Sequence, residues 1–116
     1  MKIALGISGC IAAYKAAELV RRLQQERMEV QVILTRSAQE FITPLTFAAI
    51  TGQKVITEMF GDTARPANVE SAIEHIAVAQ SIDALVIAPA TANLLGKLAH
   101  GIADDFLTTL YLATKA

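Results

Sequence analysis

The stretch "LGISGCIAAYK", residues 5–15, carries Gly6, Ser8 and Gly9 where an apolar run at residues 2–7 gives way to a helix-like pattern that begins at Ile11. The run before it is short and apolar, which fits a buried strand. After it, Ile11, Ala12, the stem of Lys15, Leu19, Val20 and Leu23 recur at helical spacing as far as Arg27, with charges on the opposite side. The stretch is therefore a turn from a first strand into a first helix, and the same alternation continues downstream. Residues 30–35, "VQVILT", are β-branched and strand-like. Ser37 stands where it would cap a following helix, with Glu40 completing a capping box. Pro44 breaks or restarts that helix and Gly52 ends it. Residues 54–58 give a weak third strand signal, residues 61–68 ("GDTARPAN") form a loop-like stretch, and residues 69–81 read as a helix. Residues 83–88 ("DALVIA") are the clearest later strand, and helical patterns follow at 94–98 and 104–113.

Strands separated by helices predict right-handed βαβ units. The expected fold class is α/β, a doubly wound, Rossmann-like (flavodoxin-like) parallel sheet in three αβα layers. The 116 residues suit one modest domain, 1–116, shorter than most complete doubly wound domains and without repeat or linker. Hydrophobic residues make up 53% and charged residues 18%, and ten basic side chains oppose eleven acidic ones. That balance lacks the charge signature of a protein that binds nucleic acid or a membrane surface. No apolar run is long enough for a membrane span, and the N-terminus enters a strand directly, so a cytoplasmic location is expected. Cys10 is the single cysteine, which excludes an intrachain disulfide and cysteine-pair redox chemistry. With only His75 and His100 beside it, no metal site is expected.

In such a sheet, ligands bind beyond the carboxyl ends of the strands. The loops expected there are residues 8–12, 35–38 and 89–93, all short and rich in Gly, Ser, Thr, Ala or Asn. Small residues let backbone N–H groups approach a ligand, hydroxyls donate to phosphate oxygens, and a helix N-terminus favours an anion. One such loop alone could be only a tight turn; three at one edge point to a phosphorylated ligand. A nucleoside-triphosphate loop fails, because Lys15 comes a turn too late and alanine follows it. A dinucleotide fingerprint fits poorly: two residues separate Gly6 from Gly9, Ala12 holds the relaxed final position, and Arg36 and Ser37 stand where NAD requires an acid. Arg36 could face a 2′-phosphate, which keeps an NADP-binding oxidoreductase as an alternative. A mononucleotide fits better.

The segments "GISGCIAAYKAAELVRRL" (6–23), "TRSAQEFITPLTF" (35–47) and "EHIAVAQSIDALVIAPATANLLGKLAHGIADDFLTT" (74–109) closely resemble the flavin-containing cysteine decarboxylases, the HFCD flavoproteins, along the whole chain. His75-Ile76 and "PATAN" are similar to the cysteine-decarboxylase branch rather than to the flavin prenyltransferases. Within that branch the chain looks most like the phosphopantothenoylcysteine decarboxylase domain of the bacterial bifunctional coenzyme A biosynthesis flavoprotein. The resemblance implies FMN as cofactor, with Gly6, Ser8, Gly9 and Cys10 in the loop that wraps it and Ser37 at its phosphate end. Pro89, Ala90, Thr91, Ala92 and Asn93 would form the second wall, and His75 would be the catalytic histidine, near the cysteinyl substrate at a subunit interface. The implied reaction is FMN-dependent decarboxylation of 4′-phosphopantothenoylcysteine to 4′-phosphopantetheine, in a homo-oligomer, a trimer or dodecamer. A phosphopantothenate–cysteine ligase domain is the implied fusion partner in the bifunctional branch.

The family continues beyond the position of Ala116 into a strand, a Pro-x-Met-Asn motif and a flap cysteine, which hold the substrate carboxylate and assist reduction. Residues 1–116 are therefore expected to lack part of the active site and to be inactive alone. A non-catalytic flavoprotein-like binding or regulatory subunit is a further alternative. Cys10 stands at a helix start, where thiolates are stabilised, yet glycine is common there in the family, so it reads as a small residue near the cofactor. His100 reads as a helix-end residue. Asp104 and Asp105 are adjacent and cannot both face one site from a helix, which makes them capping or subunit-contact residues.

Overall fold

The structure, a computed structural model, describes residues 1–57 and 69–116. The expected loop at 61–68, and Glu58 at the end of the weak strand, lie outside the described residues. Strands β1 (Lys2–Ile7), β2 (Glu29–Leu34) and β3 (Ala84–Ile87) form a parallel sheet in the order β2-β1-β3. In its register Gly6 stands between Ile33 of β2 and Ile87 of β3. The third strand expected at 54–58 is reduced, among the described residues, to a parallel bridge between Ile56 and Ile33. Two backbone bonds hold it: Leu34 N–H donates to the Ile56 carbonyl (2.9 Å) and Ile56 N–H to the Val32 carbonyl (3.0 Å). Only Val55 and Ile56 are buried there, so the segment offers too little apolar length to extend the ladder. With that bridge counted, the order runs 3-2-1-4, and the winding reverses between β1 and β3. That reversal is the point at which doubly wound folds place ligands.

Strand side chains alternate between two cores. Leu5, Ile7, Val30, Val32 and Leu34 pack with Ala13, Ala16, Val20 and Phe47 on one face. Ala4 and Ile33 point the other way, into a core with Ile82, Leu94, Phe106, Leu107 and Leu110. The sheet is thus the middle of three layers, as expected of an α/β doubly wound fold.

Helix α1 (Lys15–Gln25) follows a 3₁₀ turn at Ile11–Tyr14. The tighter turn, with three residues per turn rather than 3.6, shifts the phase of the apolar face. Ala13, Ala16 and Val20 are buried, whereas Ile11, expected in the core, is 76% exposed and Lys15 is exposed too. Helix α2 (Pro44–Thr51) begins at Pro44 and ends at Gly52 in the left-handed region (φ 67°), as its sequence punctuation predicts.

The capping box expected at Ser37 does not form. Residues Ala38–Glu40 make only a single 3₁₀ turn, and the Ser37 side chain makes no capping bond. Thr35 replaces it, its Oγ1 accepting from the Ala38 N–H at 3.2 Å. Helices α3 (Val69–Ser81), α4 (Ala92–Ala99) and α5 (Phe106–Ala113) complete the described elements. Asp105 caps α5 in a capping box with Thr108: its carboxylate accepts from Thr108 N–H at 2.8 Å, and Thr108 Oγ1 accepts from Asp105 N–H at 3.1 Å. Asp104 instead pairs with Lys97 at 2.8 Å, so the two acids face different partners. Among the described residues, no helix is long and apolar enough to cross a membrane.

Candidate functional site

The carboxyl ends of β1 and β3 are joined by one side chain. Ser8 is 2% exposed, and its backbone N–H donates to the Pro89 carbonyl at 3.2 Å. Its hydroxyl donates to the same carbonyl and accepts from the Thr91 N–H at 2.9 Å. The Ala88–Pro89 peptide within this clamp is cis. A hydroxyl that both donates and accepts pairs the Thr91 N–H and adds a second bond to the Pro89 carbonyl in a half-buried place, each such bond contributing about 0.5–1.5 kcal/mol. The sequence predicts a ligand contact for Ser8; the structure shows it holding two loops together across the switch point.

The second loop is joined to the first by the absence of a side chain. A Cβ on Gly9 would stand 2.5 Å from the Ser37 carbonyl carbon, a distance only glycine permits. Ser37 lies exposed in that contact, and its hydroxyl is spent on no helix cap. Cys10 follows, half-buried, at the start of the 3₁₀ turn. On the third loop Thr91 caps α4, its Oγ1 accepting from Leu94 N–H at 3.2 Å, while Ala90, Ala92 and Asn93 are exposed around that helix N-terminus. Gly6 sits lower than expected. It is buried within β1, where a Cβ would meet Leu107 Cδ1 at 2.5 Å, so it makes room for α5. Arg36 is exposed.

His75 lies apart from the bonds that draw the loops together, on the paired helices α3 and α5. Its ring meets Phe106 edge-on, with centroids 6.5 Å apart and planes at 84°. Its Nδ1 is buried without a hydrogen-bond partner among the described residues. Thr109 Oγ1, on α5, is in the same condition. Sequence reading misses Thr109, because a threonine next to Thr108 in a mostly apolar helix carries no pattern of its own. His100 ends α4, as expected. Lys97, half-buried and outside the loops, is held above its ordinary pKa by its hydrogen bond to Asp104, against an opposing desolvation. No group of three or more metal-ligating side chains occurs among the described residues.

The loops thus offer at Ser37 a hydroxyl with no hydrogen bond among the described residues, a closely approachable backbone at Gly9 and a helix N-terminus at Thr91, a donor set suited to a phosphate. The family profile described as Flavoprotein matches residues 1–116. The chain belongs to the flavoprotein family. This flavoprotein is 49% identical, over 99% of its length, to the coenzyme A biosynthesis bifunctional protein CoaBC of Vibrio vulnificus (strain YJ016), and 44% identical over the same share to that of Escherichia coli (strain K12). It spans 27% of the length of each of those relatives. Among solved structures it is similar to the FMN-dependent cysteine decarboxylase SpaF, with a TM-score of 0.84, 31% identity, and coverage of 100% of this chain and 64% of SpaF. A PPC decarboxylase mutant complexed with pantothenoylaminoethenethiol superposes with a TM-score of 0.73 and 30% identity, over 98% of this chain and 60% of that one.

Proposed function

We propose that this flavoprotein binds FMN where residues 8–12, 35–38 and 89–93 meet, and forms the flavin half of a decarboxylase acting on 4′-phosphopantothenoylcysteine to give 4′-phosphopantetheine. The observation that carries the reading is the clamp from Ser8 to Pro89 and Thr91 at the switch point, with Gly9 drawn against Ser37. Identity to the CoaBC relatives and similarity to a PPC decarboxylase support the substrate.

The residues fit the cofactor by their chemistry. Ser37 and the backbone at the α4 N-terminus would hold its phosphate, Gly9 and Cys10 would stand on one side of the flavin, and Pro89 to Asn93 on the other. A carboxylate beta to a thiol has no electron sink, and bound FMN would supply one, as an acceptor for electrons from the thiol-bearing carbon. Ser8 fixes the separation of the two walls, which keeps the reacting groups in register. His75 exchanges a proton with the substrate thiol through Nε2, chemistry an imidazole performs near neutral pH.

In this reading the protein works in the cytoplasm as a homotrimer or dodecamer; the exposed Ile11, Tyr14 and Phe41 on the turns beside the contact between Gly9 and Ser37, and Leu45 in the first turn of α2, support the assembly. The bifunctional relatives support a fused phosphopantothenate–cysteine ligase domain.

The test uses the full-length protein. Purified and desalted, it is expected to stay yellow; a colourless protein that binds NADP would overturn the FMN assignment. A His75→Asn variant is expected to keep its flavin and lose at least about a hundredfold in decarboxylation, the range of general acid–base contributions. An unchanged rate removes His75 from the reaction and leaves a binding role.

A further inference from the structure

His75 Nδ1 and Thr109 Oγ1 are both buried and both without a partner among the described residues. They lie on the same pair of packed helices, since α3 carries His75 and α5 carries Thr109. Two contacts bracket that pair. Near the start of α5, Phe106 meets the His75 ring; just past its end, Thr114 Oγ1 donates to the Ala79 carbonyl of α3 at 3.3 Å. The segment of α5 that runs beside residues 75–79 therefore contains Thr109, one turn beyond Phe106 and on the same side of the helix. Leu107, one residue from Phe106, points elsewhere, into the gap above Gly6.

We propose that Thr109 is the positioning residue for His75. His75 Nδ1–H donates to Thr109 Oγ1, and the Thr109 hydroxyl donates in turn to the Asp105 carbonyl one turn earlier, the acceptor that a helical threonine reaches. In that arrangement both buried atoms gain a partner. The chain of bonds also has a chemical result. Which ring nitrogen carries the proton is set by the hydrogen bond the other makes, so a proton held at Nδ1 leaves Nε2 as the free base. Phe106, packed edge-on, stops the ring from turning over. This inference rests on the catalytic role of His75 for its effect on rate, but not for its effect on the ring.

The experiment uses the full-length, FMN-loaded protein with ¹⁵N-labelled histidine, and compares wild type with Thr109→Val and Thr109→Ser. Expected in the wild type is an Nδ1-protonated ring for His75. Thr109→Val, nearly isosteric, is expected to shift the population toward the Nε2-protonated form that imidazoles prefer in water, and Thr109→Ser to restore the wild-type spectrum. In the same variants kcat is expected to fall about tenfold for valine, with KM unchanged, and to recover for serine. A tautomer that is the same in valine and wild type overturns the proposal. A shifted tautomer with unchanged kcat upholds the positioning role and overturns the catalytic one, so the two readings fail separately. If valine does not fold, Thr109→Ala serves the same comparison without the added branch.

Discussion

At the scale of single residues, two positions at the sheet edge do opposite things with their size. Gly9 succeeds by having no side chain, and Ser8 by having the smallest one able to donate and accept at once. Gly9→Ala places a methyl group against backbone, which cannot give way as a side chain can. Flavin affinity is therefore expected to fall at least about tenfold, a loss of about 1.4 kcal/mol, measured by fluorescence titration of the apoprotein. Ser8→Ala removes the partner of the Thr91 N–H and one of the two bonds to the Pro89 carbonyl in a half-buried place, at a cost of about 1 kcal/mol in urea unfolding. A Ser8→Ala protein as stable as the wild type would show that the clamp is incidental. Residue type alone makes the position of these loops legible, but not the work of each side chain. Ser8, Ser37 and Thr35 are alike in sequence. Only the distances separate a loop clamp, a free hydroxyl and a helix cap.

At the scale of elements, β1 and α5 are fitted through Gly6. The missing Cβ is the space in which Leu107 lies. Gly6→Ala is expected to cost about 1–3 kcal/mol by overpacking, and Leu107→Ala alone about 2–5 kcal/mol by leaving a void. Combined in one protein they should cost less than their sum, since each relieves the fault of the other; strict additivity in a double-mutant cycle by urea unfolding would break the assignment. Such a pairing joins positions far apart in the chain, and no local pattern announces it. That is why Gly6 reads, in sequence, as part of a ligand loop. The helix boundaries are better announced: proline at the start of α2, a left-handed glycine after it, and Asp105 before α5 are local signals with local causes. Where the helix begins as a 3₁₀ turn, the local signal misleads. A period of 3.6 carried back through Ile11–Tyr14 turns Ile11 inward, when it stands in solvent. The ion pair of Lys97 with Asp104 adds a small pH effect. Because the lysine's folded pKa is raised, its stabilisation is complete below the unfolded value and fades only as alkaline pH passes through the folded one. An exposed pair of this kind leaves stability near neutral pH almost unchanged.

At the scale of the whole molecule, the described residues build the switch-point edge, where we propose the flavin binds, of a fold shared with a PPC decarboxylase chain of which this one covers 60%. The alternation of strand and helix, together with the apolar runs at both ends, makes the architecture readable from sequence, because burial on two faces demands it. The arrangement around His75 is not readable in the same way, since it depends on how two helices meet across the second core.

The central strand carries a last consequence. β1 is bonded on both sides and roofed on both faces, so its amide protons can meet solvent only when the whole domain comes apart. The amides of Leu5 and Ile7 therefore measure the global opening free energy. Because Ser8 continues the same strand, the loop clamp is anchored to the segment that opens last.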